Sequence, residues 1–215
     1  MKSHGVPVAD SAVVRTMTDC ARVNLEYPLF AKPVAEGTSR GITAMSLIHD
    51  QHELIRYCHS ALATFKQPVL VERYLPGREF TVGMLGNGDD AQVLGVMEVV
   101  LLEQADASGY TYDNKQQYEN RVDYRIVDEP DVAQVAKQAW GALNCLDAGR
   151  VDIRMDAAGK PHFLEVNPLA GLNPSYSDLC ILCRLQGLSY DWLITSIVDS
   201  ACQRRRSDLP PGPAA

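Results

Sequence analysis

Apolar residues follow two patterns that alternate along the chain. Short runs rich in Val, Ile, Leu, Phe and Tyr, several bounded by Gly or Pro, are typical of β-strands. They predict strands over residues 29–34, 69–75, 79–85, 92–101, 150–155 and 162–166. Pro76-Gly77 and the Gly/Asn segment 85–89 predict hairpins on either side of the third strand, and residues 156–161 predict a turn between the last two.

Three other segments repeat apolar residues at helical spacing. The first follows Asp50, with Glu53 completing a capping box. The second has Pro130 in its first turn, and Ser189 caps the third. Their predicted buried faces are Leu54, Ile55, Cys58, Leu62 and Phe65; Val132, Val135, Ala136, Ala139, Trp140 and Leu143; and Trp192, Leu193, Ile197, Val198 and Ala201. Strands alternating with helices predict an α/β or α+β architecture.

Two segments lack such patterns. Residues 104–123 are polar and aperiodic, and a segment of that length inside a compact domain is typical of a functional lid. Residues 204–215, with the sequence RRRSDLPPGPAA, are expected to form a disordered tail.

Composition narrows the class of protein. The chain has 215 residues, of which 46% are hydrophobic and 22% charged, as in a folded domain or two small lobes. A net charge of −7 argues against general nucleic-acid binding, so phosphate chemistry must rest on a few placed Lys and Arg. We find no apolar run long enough for a membrane span and no signal peptide, and we expect a cytoplasmic, reducing location.

The six cysteines are then expected to be free thiols. Cys180 and Cys183 form a lone C-x-x-C motif, which can hold a metal or act in redox chemistry. Because no second Cys pair or His cluster accompanies it, we favour two small apolar residues on one helix face.

Two clusters have the residue types for nucleotide binding. In AKPVAEGTSRGI, residues 31–42, Lys32 ends a strand and a Gly/Ser/Thr loop follows, whose backbone N–H groups can approach phosphate; a plain surface turn is the alternative. In VLVERYLPGREF, residues 69–80, Glu72 and Glu79 flank a bend and can accept hydrogen bonds from an amine or from ribose hydroxyls. Solvated hairpin charges are the alternative.

A third cluster occupies the last two predicted strands. Alternation places Arg150, Asp152 and Arg154 on one strand face, and Glu165 and Asn167 on one face of the next. If the strands pair antiparallel, Asp152, Glu165 and Asn167 converge. Such oxygen donors suit Mg²⁺, whereas one hydrated sheet face is the alternative.

The fourth cluster, GLNPSYSD at residues 171–178, opens a helix. Free N–H groups there favour an anion such as a substrate carboxylate, or Ser175 or Ser177 acts as an ordinary cap.

Taken in order, the stretches AKPVAEGTSRGI, VERYLPGREFTVGMLG, YTYDNK, GRVDIRMDAAGKPHFLEVNP and AGLNPSYSD resemble the ATP-grasp superfamily, and most closely the D-alanine–D-alanine ligase family. The resemblance spans about residues 5–204. It implies an α+β ATP-grasp fold with two lobes of mainly antiparallel sheet that sandwich ATP. The small lobe is residues 1–76, and the large lobe, residues 77–203, carries the metal site and the lid.

The resemblance also implies roles in nucleotide binding. Lys32 resembles the Lys that contacts the α- and β-phosphates, Ser39 belongs to a loop that covers the phosphates, and Lys115 resembles the lid Lys at the γ-phosphate. The adenine and ribose are assigned to four residues: Glu72, the backbone of Arg73 and Leu75, and Glu79.

The catalytic roles fall on the last two clusters. The implied ligands of two Mg²⁺ ions, with Mn²⁺ as an alternative, are Asp152, Glu165 and Asn167. Arg150 resembles the Arg that stabilises a tetrahedral intermediate, with a backbone N–H of Gly171 nearby. Ser177 resembles the hydroxyl that holds a substrate carboxylate.

The implied activity is an ATP- and Mg²⁺-dependent carboxylate–amine ligase that joins two amino acids, with D-alanine as the family's substrate, through an acyl phosphate in peptidoglycan synthesis. The alternatives are an ATP-binding remnant or pseudoenzyme, and an ATP-grasp ligase for another amino-acid pair.

Three departures from the family pattern affect the substrate site. The family's N-terminal domain would precede His4-Gly5-Val6-Pro7, so we expect this to be the ATP-grasp part of a longer enzyme, a truncated reading frame, or a subunit completed by another chain. The expected protein partner is a second copy in a homodimer or a separate N-terminal domain chain. Gln116 follows Lys115 where the family has Tyr or Phe. Pro168-Leu169-Ala170 separates Asn167 from Gly171 where the family has Thr-x-Pro.

Overall fold

The computed structural model describes residues 1–37, 40–101 and 122–207, which form nine strands and five helices. The strands are β1 (Ser11–Val14), β2 (Leu29–Pro33), β3 (Leu47–Ile48), β4 (Val69–Arg73), β5 (Glu79–Leu85), β6 (Gln92–Leu101), β7 (Val122–Val127), β8 (Ala148–Met155) and β9 (Pro161–Asn167). The helices are α1 (Met17–Cys20), α2 (Gln51–Phe65), α3 (Pro130–Ala142), α4 (Asp178–Leu185) and α5 (Tyr190–Ser207).

These residues divide into two compact units. Unit 1 contains Met1–Val8, Gly77–Glu98 and the described residues from Tyr124 onward. Unit 2 contains Ala9–Pro76 and the described part of Val99–Asp123. The predicted lobes put residues 1–8 with 9–76, whereas here they join unit 1, because the N–H of Phe163 donates to the carbonyl of Pro7 at 2.8 Å.

Unit 2 is a four-stranded sheet, in the order β1-β4-β2-β3, that packs against α2. Asp50 caps α2 by accepting from the N–H of Glu53 at 2.8 Å. The predicted capping box differs in its second half, because the Glu53 carboxylate accepts from the N–H of His49 instead. Leu54 is fully buried, but Ile55, predicted on the buried face, is 44% exposed.

Unit 1 contains most of a five-stranded sheet, in the order β7-β6-β5-β8-β9. Strands β5 and β8 pair so that Phe80 lies opposite Ile153 and Thr81 opposite Asp152. Phe80 and Ile153 belong to the apolar core that includes Trp140 of α3. Because successive side chains in a strand alternate faces, Thr81 and Asp152 lie on the sheet face away from that core.

Gly149 of β8 allows strand β9 and helix α3 to pack close against this strand. A Cβ atom at this position would lie 2.5 Å from the carbonyl oxygen of Asn167 and 2.9 Å from the Trp140 ring. Both distances are shorter than a carbon contact allows, so glycine is required for this packing.

The predicted hairpin at Pro76-Gly77 is wrong, since β4 and β5 belong to different sheets. The N–H of Gly77 donates to the carbonyl of Met155 at 2.9 Å, which attaches the chain to the end of β8 rather than folding it back on β4. The other two turns join neighbouring strands as predicted, and β8 and β9 are antiparallel.

Other expectations differ at the ends of elements. Strands β1, β3 and β7 were not predicted, and the strand expected over 69–75 ends at Arg73. Besides Ile55, three side chains expected on buried helix faces are exposed: Leu143, Trp192 and Val198. Residues 204–207, expected to be disordered, are helical, and Arg204 donates to Asp147 Oδ2 at 2.8 Å.

The prediction of α+β architecture with mainly antiparallel sheets is confirmed. Among the described residues, no helix combines the length and the apolar character needed to cross a bilayer.

Candidate active site

The three oxygen-bearing side chains predicted on β8 and β9 lie together. Asp152 is opposite Glu165, and Arg150 is opposite Asn167. The Asn167 side-chain amide donates to Asp152 Oδ2 at 3.1 Å and to Glu165 Oε1 at 3.2 Å. Asp152 is 9% exposed, whereas Glu165 faces solvent. The cluster, hereafter the β8–β9 cluster, therefore has an enclosed side and an open side.

Thr81 supports this cluster and was not predicted. It is 3% exposed, and its hydroxyl donates to Asp152 Oδ1 at 2.9 Å from β5. With Asn167 on the other oxygen, both oxygens of the carboxylate are oriented. The available signal was the alternation of Glu79 and Thr81 along β5, but the partner strand could not be read from the sequence.

Arg150 lies between two carboxylates. Its Nη1 forms an ion pair with Asp178, and its Nη2 lies 3.5 Å from Asp152 Oδ2. Asp178 is the first residue of α4, and the Tyr124 hydroxyl donates to its Oδ1 at 3.2 Å. No role was predicted for Asp178 or Tyr124, although Asp178 closes the stretch AGLNPSYSD.

Gly171 and Ser177, both assigned to the substrate site by the family resemblance, are neighbours. A Cβ atom at Gly171 would lie 2.8 Å from Ser177 Oγ. Ser177 precedes α4 but makes no side-chain cap; its hydroxyl accepts from the N–H of Asn173 at 2.9 Å. Ser177 is therefore not an ordinary cap of α4, and Ser175 donates its N–H to Asn173 Oδ1.

Lys32 and Glu72, both in unit 2, form an ion pair with Nζ and Oε2 3.3 Å apart. Their side chains are 20% and 16% exposed, so each charge is partly desolvated. Beside them Phe30 and Tyr74 stack, with ring centroids 6.4 Å apart. The Arg73 N–H donates to the carbonyl of Asp10 at 2.8 Å, and Leu75 is buried.

Glu79 pairs across strands β5 and β8 with Arg154, whose Nη1 is 3.3 Å from Glu79 Oε2. Its carboxylate is therefore held at the sheet rather than solvated. Ser39, Lys115 and Gln116 lie outside the described residues, as does nearly all of the predicted lid.

Arg78 joins two acidic side chains in unit 1 that the sequence did not connect. It makes a bidentate pair with Glu98, at 2.7 and 2.8 Å, and also contacts Glu129. The hydrogen bonds from Arg78 hold the pKa of Glu98 below its ordinary value. Cys180 and Cys183 are buried in α4, and burial raises the pKa of Cys183 to about 11, as expected of apolar packing residues.

The β8–β9 cluster fits a divalent cation by its chemistry. It provides two carboxylates and an amide, hard oxygen donors of the kind Mg²⁺ takes together with phosphate and water. The Asn167 amide can present oxygen instead of nitrogen after a flip. Across the described ranges, no group of three or more His, Cys, Asp or Glu side chains is arranged for a metal, so this site would need the amide or other ligands.

Comparison with known proteins agrees with the fold. A model of the family described as "D-ala D-ala ligase C-terminus" matches residues 1–199. A D-alanine–D-alanine ligase of Bordetella avium is 33% identical over 210 residues, which cover 94% of this chain and 63% of that relative. The chain thus spans about three fifths of that curated relative's length.

Two solved structures share the architecture. A D-alanine–D-alanine ligase from Bacillus anthracis, crystallised with ATP, aligns with a TM-score of 0.72 at 18% identity, over 97% of this chain and 65% of that one. The VanG D-Ala:D-Ser ligase from Enterococcus faecalis aligns with a TM-score of 0.70 at 24% identity, over 93% and 58%. The predicted ATP-grasp fold is confirmed.

Proposed function

Because this chain belongs to the family of the D-alanine–D-alanine ligase C-terminal region, we propose that it forms the ATP-binding and catalytic part of a carboxylate–amine ligase. The reaction joins two amino acids through an acyl phosphate, with consumption of one ATP. The observation that carries the proposal is the β8–β9 cluster, in which a hydrogen-bonded Asp152, Glu165 and Asn167 lie beside Arg150.

In this proposal the metal site holds two Mg²⁺ ions, with Mn²⁺ as the alternative metal. Its ligands are Asp152, Glu165 and Asn167. The bound metal supplies positive charge to the triphosphate oxygens. Thr81 keeps the Asp152 carboxylate aligned, which supports the assignment because an oriented ligand loses less entropy on binding.

The residues that bind the nucleotide are assigned by family. Lys32 donates to the α- and β-phosphates, Lys115 to the γ-phosphate, and Ser39 covers the phosphates. The adenine is read by Glu72 and the backbone of Arg73 and Leu75, and the ribose hydroxyls by Glu79. Partial burial of Lys32 and Glu72 supports these roles, since desolvated charges interact more strongly with a ligand.

The chemistry proceeds in two steps. A carboxylate oxygen of the first amino acid takes the γ-phosphoryl group from ATP, which releases ADP. The amine of the second then attacks the acyl carbon, phosphate leaves, and the nitrogen loses a proton. Arg150 and the N–H of Gly171 stabilise the oxyanion of the tetrahedral intermediate, and Ser177 binds a substrate carboxylate.

The amino acids are proposed by family: D-alanine as the first substrate, and D-alanine or another amino acid as the second. One structural neighbour is named a D-Ala:D-Ser ligase. Its name supports a second amino acid other than D-alanine, because that ligase has the same fold. Gln116 after Lys115 and the altered segment 168–170 support it too. A cytoplasmic role in peptidoglycan synthesis, with an N-terminal domain or a second copy as partner, completes the proposal.

The test is Mg²⁺-dependent release of ADP from ATP across a panel of D- and L-amino acids. We expect an amino acid to stimulate release, and Glu165→Gln to abolish turnover while the far-ultraviolet circular dichroism stays the same. Glu26→Gln is the matched control, because Glu26 is an exposed carboxylate in unit 2. Calorimetric ATP binding without ADP release would favour the alternative of a nucleotide-binding chain without ligation.

A further inference from the structure

Asp178 is a nearly buried carboxylate to which neither the sequence nor the proposed function gives a role. It is 8% exposed and begins α4. Its Oδ2 pairs with Arg150 of β8, and its Oδ1 accepts from the Tyr124 hydroxyl of β7 at 3.2 Å. Side chains from three separate elements therefore meet at one charge.

A contribution to the stability of the fold does not by itself explain a buried charge at Asp178. Removing a carboxylate from water carries a large desolvation penalty, and a buried ion pair is often no more stable than apolar residues of similar size. The amino end of α4 offsets part of that cost, because the helix dipole favours negative charge there. The arrangement also sets the orientation of a neighbouring side chain.

That side chain is Arg150, whose guanidinium contacts Asp178. Asp178 holds its Nη1, while Nη2 lies 3.5 Å from Asp152 and is not within close hydrogen-bonding distance. Its Nε is buried and, among the described residues, has no hydrogen-bond partner. The plane of the guanidinium is thus fixed chiefly from the Asp178 side, and Asp152 keeps its hydrogen bonds to Thr81 and Asn167.

We propose that Asp178 is a positioning residue that orients Arg150 for the developing oxyanion and restrains it from binding tightly to Asp152. This inference rests on the proposed function of Arg150. Tyr124 supports Asp178 from β7. The residue touches no substrate in this proposal and acts through Arg150.

The direct test is the nuclear magnetic resonance signal of the Arg150 guanidinium, assigned by its loss in Arg150→Lys. We expect separate Nη signals in the unaltered chain, because the ion pair slows rotation about Cζ–Nε. They should merge in Asp178→Asn and stay separate in Asp178→Glu. Asp191→Asn, a matched change in the first turn of α5, should leave them separate. Separate signals in folded Asp178→Asn would overturn the inference.

Kinetics tests the consequence. Asp178→Asn should lower kcat by about 10- to 100-fold with little change in the KM for ATP, and Asp178→Glu should recover part of the loss. An unchanged kcat per folded molecule would also overturn the inference. A chain that is inactive with every amino acid contradicts the proposed function instead, and the spectra then decide the Arg150–Asp178 inference by themselves.

Discussion

Thr81 donates a 2.9 Å hydrogen bond to Asp152 from the neighbouring strand, and both side chains are buried on the sheet face away from the α3 core. The bond orients one oxygen of a carboxylate whose other oxygen accepts from Asn167. The Thr81 hydroxyl therefore helps to set the direction of the Asp152 carboxylate, which in the proposed function binds the metal.

Replacing Thr81 with Val removes this donor while it keeps the side-chain shape. We expect the free energy of unfolding to fall by about 1–2 kcal/mol, because a buried carboxylate loses one hydrogen bond. Urea unfolding measures the change. Thr81→Ser retains the hydroxyl and is the control; equal stability of Thr81→Val and the unaltered chain would show that the bond contributes nothing.

Gly149 gives a test of packing behind the site. Gly149→Ala should destabilise the fold by about 1–3 kcal/mol, because the added methyl group would overlap the Asn167 carbonyl and the Trp140 ring. Gly141→Ala is the matched control. It has no atom within 4 Å of the new Cβ and lies in α3, so we expect about 0.5–1 kcal/mol of stabilisation. Thermal unfolding of both variants should move in opposite directions.

The Arg78–Glu98 pair predicts a dependence of stability on pH. Hydrogen bonds from Arg78 lower the pKa of Glu98 below its ordinary value of 4.5. A carboxyl whose pKa is lowered by folding stabilises the folded state above its unfolded pKa, and this contribution is lost as the pH falls through the folded pKa.

Glu98→Gln should therefore lower the free energy of unfolding at neutral pH. The free energy of unfolding should also fall less steeply below pH 4.5 in this variant than in the unaltered chain. Urea unfolding over a pH series measures both effects, with Glu26→Gln as the exposed control. If Glu98→Gln and the unaltered chain lose stability in parallel through the acid range, this ion pair is not the cause.

The cysteines predict a simple count of reactive thiols. Five are buried and Cys202 is exposed. Burial raises the pKa of Cys58 to about 12 and of Cys183 to about 11, so few thiolates form there at mildly alkaline pH. We expect a chromogenic disulfide reagent to titrate one thiol rapidly in the native chain and all six after denaturation. Rapid reaction at Cys183 would contradict the burial of this side chain in α4.

The β8–β9 cluster could be predicted because its residues lie close together in the sequence, on two consecutive strands. Period-two alternation places Asp152 on one strand face, and a short turn brings Glu165 and Asn167 back beside it. The Asp178–Arg150 pair depends instead on where α4 begins relative to β8, which no local pattern contains.

The errors in the fold have the same origin. Pro76-Gly77 is a good turn sequence, but a turn does not say whether the following strand joins the same sheet. Strands as short as Leu47–Ile48 carry too few residues for an alternation to be recognised. Ile55 and Val198 fit their helical stripes and are exposed, since a stripe gives the face but not its edges.

The most direct test of the account is metal binding at the β8–β9 cluster. Mn²⁺, a paramagnetic probe for Mg²⁺, should be titrated into the chain with ATP and followed by electron paramagnetic resonance. We predict that Glu165→Gln and Asp152→Asn each weaken binding by about tenfold or more, while Glu26→Gln has no effect. Equal affinity in folded Glu165→Gln, Asp152→Asn and the unaltered chain would contradict the assignment of this cluster to the metal–ATP complex.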